Sequence, residues 1–145
     1  MKLTAKGRYA VTALVALARH ERAVSLRVLA EEQGISLAFL QQVFAQLRRA
    51  GLVDSVPGKS GGYRLAHHAG HVTVGQIIEA VDIDIRAQGC SPDQRVACTG
   101  KGERCLTHDL WHALEDHIGS FLSRVTVEDI LQGRVGVGER VGEMA

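Results

Sequence analysis

SLRVLAEEQGISLAFLQQVFAQLRRAGLVDSVPGKSGGYRL, residues 25–65, is the stretch whose reading decides the fold. Ser25 stands as a helix N-cap, and the LRVLAEEQ that follows stops at Gly34. Glycine closes a helix in the left-handed conformation at least cost. Ser36 caps the next helix, LAFLQQVFAQLRRA, which ends at Gly51. Leu37, Leu40, Phe44 and Leu47 fall at i, i+3, i+7 and i+10 and share one face. Ala38, Phe39, Gln41, Gln42, Gln46, Arg48 and Arg49 are left on or near the outer side. Two helices joined by Gln33-Gly34-Ile35-Ser36, with Ile35 as a buried plug, make a helix-turn-helix. LVDSV and YRL then read as strands around the turn PGKSGG, a hairpin with a glycine-rich tip, or wing. The whole stretch is a winged helix-turn-helix.

Working outward, residues 4–20 form a helix capped by Thr4, with Tyr9, Leu14 and Leu17 on its apolar face. Downstream, AHHAGHVTVGQ links the wing to a short helix, VGQIIEAV, for which Thr73 is the cap. Residues 82–104 show no sustained period and contain Gly89, Pro92, Gly100 and Gly102. A loop of that length is uncommon in a compact domain unless it is functional or disordered. A long helix over about 106–123 follows, carrying Leu106, Leu110, Leu114, Ile118, Phe121 and Leu122, with Trp111 beside the stripe. That stripe is too wide for so small a monomer to cover, so a partner helix and a twofold homodimer are expected. VEDILQ, started by Thr126, and a glycine-rich tail complete the chain.

The fold class is therefore mostly α, a winged helix-turn-helix domain with a two-stranded wing plus a long dimerisation helix. Residues 1–66 form the DNA-binding domain, 67–81 the linker and short helix, and 82–108 the metal-binding loop. Residues 106–132 are the dimerisation helices and 133–145 a flexible tail.

Charge divides along the same line. The formal net charge of +1 hides ten Lys or Arg against four Asp or Glu in residues 1–66, and seven against twelve in residues 67–145. A basic half joined to an acidic half suits a nucleic-acid module with a separate control or oligomerisation module. No apolar run reaches the roughly 18 residues that a spanning helix needs. The N-terminal VTALVALARH is short, ends in charge and lacks a cleavage site, so it reads as a helix of the mature protein. A cytoplasmic protein with no membrane partner is expected. No Ser-His-acid order, GxxxxGK[ST] or HExxH is present, and GKSGG lacks the upstream glycine of a phosphate loop. An enzyme is not expected.

The helix after Ser36 is the candidate recognition helix, to be set into the major groove of a double-stranded operator. Ser36, Ala38, Phe39, Gln41 and Gln42 would face base edges. Gln bonds bidentately to adenine, Ser pairs with several bases, and Ala or Phe meets a thymine methyl. Lys59 and Arg64 on the wing, with Lys2, Lys6 and Arg8, would supply phosphate or minor-groove contacts.

The second constellation is Cys90-x7-Cys98-x6-Cys105-x2-His108. Three cysteines, all between positions 90 and 105, and no secretion signal argue against a disulfide framework. Thiolates suit iron–sulfur clusters and zinc, and imidazole serves both. The spacing is too open for a zinc finger. A metal site is the leading reading; reactive thiols come second, and unpartnered loop thiols last. His112, one turn beyond His108, is a candidate support for it, and His67, His68 and His71 read as solvated.

The opening KLTAKGRYAVTAL, the block GISLAFLQQVFAQLRRAGLV, the wing SVPGKSGGYRL, VGQIIEAVD and CLTHDLW strongly resemble the IscR-type iron–sulfur cluster regulators. The likeness runs from about residue 2 to 132, and CLTH before a tryptophan-containing helix is its most specific part. The resemblance implies a homodimer holding one [2Fe–2S] cluster per subunit through Cys90, Cys98, Cys105 and His108. It also implies control of cluster-assembly genes, with the iron–sulfur assembly machinery as cluster donor. Three departures stand out. The cysteine spacings are longer than those of the group. Gln41 replaces a familiar Glu, which predicts a broader or shifted operator preference. Pro57 replaces a familiar wing Arg, so Lys59 takes over the minor-groove contact. Arg8 stands where [4Fe–4S] nitric oxide sensors carry an acidic ligand, and this counts against that subtype.

Overall fold

The computed structural model describes residues 4–82 and 106–136. Helix α1 spans Ala5–Ala18, α2 Leu26–Gln33 and α3 Leu37–Arg49. Strands β1 (Val53–Val56) and β2 (Gly62–Leu65) follow, then α4 (Val74–Val81), α5 (His108–Arg124) and α6 (Val127–Leu131). The helix starts use the caps legible in the sequence. Thr4 Oγ1 accepts from Gly7 N at 3.0 Å, Ser25 Oγ from Val28 N at 3.3 Å and Ser36 Oγ from Phe39 N at 3.2 Å. Thr73 with Gln76, and Thr126 with Asp129, form reciprocal capping boxes. Gly34 closes α2 at φ 63°, its N–H bonded to the Ala30 carbonyl.

One core joins these elements. Ala10, Ala13, Leu14 and Leu17 of α1 pack with Leu29 of α2 and with Leu40, Val43, Phe44 and Leu47 of α3. Each large side chain buried this way contributes about 1.5–3 kcal/mol. Val72, Ile77, Val81 and Val127 belong to the same cluster. The core thus continues across residue 66, and α4 is packed on the winged helix rather than hung from it. On α3, Val43 is fully buried while Leu37 is only half-buried. Leu37 occupies the first turn, at the rim of the contact, where shared periodicity does not ensure cover. Ile35 is half-buried and packs on the core from the turn.

The wing pairs antiparallel, with Val53 opposite Leu65 and Val56 opposite Gly62. Val24 adds a further rung on the far edge of β2. Its N–H donates to Tyr63 O at 2.9 Å, and Tyr63 N–H returns to Val24 O at 2.8 Å. A single paired residue has no period to betray it in sequence. Residues 69–71, read as linker, form a 3-10 turn in which His68 Nδ1 accepts from Gly70 N at 3.0 Å. His67, His68 and His71 are exposed.

Helix α5 lies across α4. Leu122 packs with Val74 and Ile78, flanked by Ile118, Val11, Val125 and Ile130. The return into α6 is pinned by Val74 N to Val125 O at 2.8 Å and Val127 N to Val72 O at 2.9 Å. Leu106, Leu110 and Phe121 remain exposed. Among the described residues no helix is long and apolar enough to cross a membrane.

Candidate nucleic-acid interface and metal-ligand segment

Helix α3 is built to turn one face outward. Burial of Leu40, Val43, Phe44 and Leu47 fixes its rotation, and Ala38, Gln41 and Gln42 are consequently exposed. These three lie at i, i+3 and i+4 and so form one contiguous patch. The helix carries no acidic residue, and Arg48 and Arg49 sit in its last turn. Nothing along it repels a phosphate backbone. The Gln41 and Gln42 side chains have no hydrogen-bond partner among the described residues, which leaves both amides available to base edges. Ser36 is exposed but spends its oxygen as the cap of α3, so it has the hydroxyl proton left to offer.

Phe39 is placed differently from its neighbours. It is half-buried, packs on the core, and meets Tyr9 of α1 edge-on, with ring centroids 5.8 Å apart and planes at 80°. Only part of the ring faces outward. The basic residues are open to solvent to different degrees: Arg8 is exposed on α1, Lys6 is half-buried in the first turn of α1, and Lys59 is exposed at the wing tip. Arg64 is exposed on β2, across the ladder from Asp54. None of these four makes an ion pair among the described residues. Lys2 lies outside them.

Of the metal-ligand set, His108 is described and Cys90, Cys98 and Cys105 lie outside the described residues. His108 opens α5 and is half-buried. His112 is one turn on, its ring centroid 6.3 Å from that of His108, and its Nδ1 is 3.5 Å from Asp116 Oδ2. His108, His112 and Asp116 therefore run down one face of α5. Trp111 Nε1 donates to Thr107 Oγ1 at 2.9 Å and braces the helix start. Among the described residues no three metal donors converge.

Two features escaped the sequence reading. Tyr9 packs against α3, and Asp82, the last described residue before the cysteine segment, accepts from the Thr4 hydroxyl. That bond ties the end of α4 to the N-cap of α1, beside Lys6 and Arg8. Both contacts join residues far apart in the chain, and no local pattern announces them.

An acid-free helix turned outward from a helix-turn-helix, next to a basic wing, defines a winged-helix DNA-binding protein. Residues 3–133 match the Rrf2 family, described as an iron-dependent transcriptional regulator, and the chain belongs to that family. It is 46% identical over 136 residues to the HTH-type transcriptional regulator IscR of Pectobacterium atrosepticum, covering 92% of this chain and 81% of that protein. The solved structure of T. potens IscR aligns with a TM-score of 0.73 at 33% identity, covering 99% of this chain and 96% of that one. CymR, the global cysteine regulator of B. subtilis, aligns at 0.74 and 31% identity, covering 90% and 95%. The chain is a helix-turn-helix transcriptional regulator and not an enzyme.

Proposed function

We propose that the chain is a homodimeric, iron–sulfur-sensing regulator of the genes for cluster assembly. It reads a double-stranded operator through α3 and the wing. Cys90, Cys98, Cys105 and His108 hold one [2Fe–2S] cluster per subunit, received from the assembly machinery of the cytoplasm in which it works. One observation carries the reading: a chain 46% identical to an IscR over 92% of its length contains a full set of three thiols and one imidazole. That donor set fits the group, since thiolates hold such clusters and imidazole replaces thiolate on one iron in some of them. When bound, the cluster supplies a redox-active iron centre that is lost or gained with cellular supply.

The chain's own residues account for the rest. The candidate segment runs between Asp82, tied to the α1 N-cap, and His108, at the head of α5. A ligand that favours one arrangement of that segment acts at both ends, and its effect on DNA affinity equals its differential affinity for the two states. Dimerisation is supported by the uncovered face of α5, where Leu110 is 58% exposed and Phe121 44%. Apolar groups of that size in register on one helix are more stable against a second helix than against water.

The test is anaerobic purification with visible absorption and iron and sulfide analysis, for wild type and His108→Ala. About two iron and two sulfide per monomer, with an altered spectrum in the variant, are expected. A colourless protein with zinc or free thiols, even after reconstitution, overturns the cluster. A second reading then stands, a thiol- or zinc-switched regulator of DNA binding. It is favoured by one observation: Cys90, Cys98 and Cys105 stand within sixteen residues of one another, and thiolates also hold zinc.

A further inference from the structure

We infer that Tyr9 is a DNA-backbone contact, its hydroxyl donating to a phosphate beside the recognition helix, and that Phe39 is the residue that positions it. The inference rests on the DNA-binding reading above and deepens it by assigning residues on two helices to one strip of the interface.

The chain has two tyrosines, and they are treated in opposite ways. Tyr63 is half-buried in the wing, packs edge-on to Phe44 with centroids 5.1 Å apart, and bonds Val24 through both backbone groups. Its role is to join wing and core. Tyr9 is 47% exposed, and its hydroxyl has no hydrogen-bond partner among the described residues. A tyrosine ring brings an apolar body and a polar tip, and the tip ordinarily finds a partner when the ring is set into an interface. Here the body is seated and the tip is not.

The seat locates the partner. The Tyr9 ring rests edge-on against Phe39, which lies three residues after the cap of α3 and flanks the exposed patch on its Gln42 side, one helical turn before Gln42. Tyr9 therefore borders the patch offered to the major groove. Lys6 lies three residues before Tyr9, on the same side of α1. A duplex laid along α3 would meet Lys6, Tyr9 and the start of α3 as one strip, where the groove wall is phosphate. Phe39, held between the core and Tyr9, has a ring whose outward part is small. Fixing the Tyr9 ring accounts for that placement better than broad contact with a base does.

A neutral hydroxyl and a lysine leave different marks. Loss of a lysine–phosphate contact lowers the salt dependence of binding, because a counterion is no longer released. Loss of a tyrosine hydroxyl removes a hydrogen bond and no charge. Tyr9→Phe should therefore weaken binding roughly five- to tenfold, equally for all sequences, with the salt slope unchanged. Thermal stability should not move, because the hydroxyl bonds none of the described residues in the free protein.

The experiment uses the full chain and a fluorescent duplex selected by the wild type from a random-sequence pool. Affinity is measured across a salt series for wild type, Tyr9→Phe, Lys6→Ala, Phe39→Leu and the Tyr9→Phe/Phe39→Leu pair, with thermal melts of each. The expected result is a loss in Tyr9→Phe at constant slope and constant melting temperature, against a shallower slope in Lys6→Ala. In the Phe39→Leu background, removing the hydroxyl should cost less than about twofold, the mark of a shared contact. Tyr9→Phe binding within about twofold of wild type at all salts would overturn the inference, as would a loss matched by a lower melting temperature. An undiminished hydroxyl effect in the Phe39→Leu background would overturn the role of Phe39. A wild type that selects no duplex would refute the DNA-binding reading itself, and this inference with it.

Discussion

Gly62→Ala is the substitution through which the wing can be tested most sharply. Gly62 opens β2 at φ 145°, and a Cβ there would lie 2.1 Å from the Val24 carbonyl oxygen and 2.6 Å from Ser25 N. Both obstacles are backbone atoms and cannot rotate aside. The alanine variant must part β2 from Val24, losing the two hydrogen bonds between Val24 and Tyr63, at about 1 kcal/mol each. Alanine held at that φ adds roughly 1–3 kcal/mol of backbone strain. Relaxation of the hairpin recovers part of one term or the other, so a loss of about 3 kcal/mol is expected. For a chain of this size that corresponds to a fall of roughly 10 °C in Tm. Urea unfolding followed by circular dichroism, at fixed protomer concentration, measures it. DNA affinity should fall as well, because parting Val24 from Tyr63 shifts the wing that presents Lys59. A stability change under about 1 kcal/mol, below the loss of the two hydrogen bonds alone, would refute the reasoning.

Other substitutions separate the parts of the account. Gln42→Ala should relax base preference at one position of the selected site, whereas Lys59→Ala should weaken all duplexes alike and lower the salt slope by about one; binding selections and a salt series read the two. Leu110→Glu places a charge on the exposed face of α5 and should shift the protein toward monomer in analytical ultracentrifugation while leaving its helical content unchanged. Asp129 has its carboxyl held below the ordinary range, first by the Thr126 backbone N–H and then by the Thr126 hydroxyl, with Arg134 assisting. A carboxylate with a depressed folded value stabilises the fold above its unfolded value, and that support disappears as pH falls through the folded one. Asp129→Asn should therefore be less stable than wild type near neutrality, and the difference should vanish in acid.

What the sequence told of this molecule and what it withheld divide by range of contact. Thr4, Ser25, Ser36, Thr73 and Thr126 each cap the helix they precede, because a cap is a bond between a side chain and a backbone N–H two or three residues on. The wing was legible from its glycine-rich tip between two short apolar runs. Val24 pairing with Tyr63, and Thr73 with Thr126, were not, since each is one rung between distant segments. The outward face of α3 was read correctly at Ala38, Gln41 and Gln42 but not at Phe39. Helical period says which residues share a side; it does not say that Tyr9 of another helix will cover one of them. The cysteine set was visible as composition and spacing, and the tie between Asp82 and Thr4 only as a fold.

The central claim, that this is a dimeric reader of duplex DNA through α3 and the wing, is tested most directly by selection from a random-sequence duplex pool. The full chain is run beside a variant carrying Gln41→Ala, Gln42→Ala and Lys59→Ala. The account predicts that the wild type enriches an inverted repeat with half-sites spaced by about one helical turn or a multiple of it, and that the triple variant enriches none. Failure of the wild type to enrich any site, or equal enrichment of one site by both proteins, would contradict it.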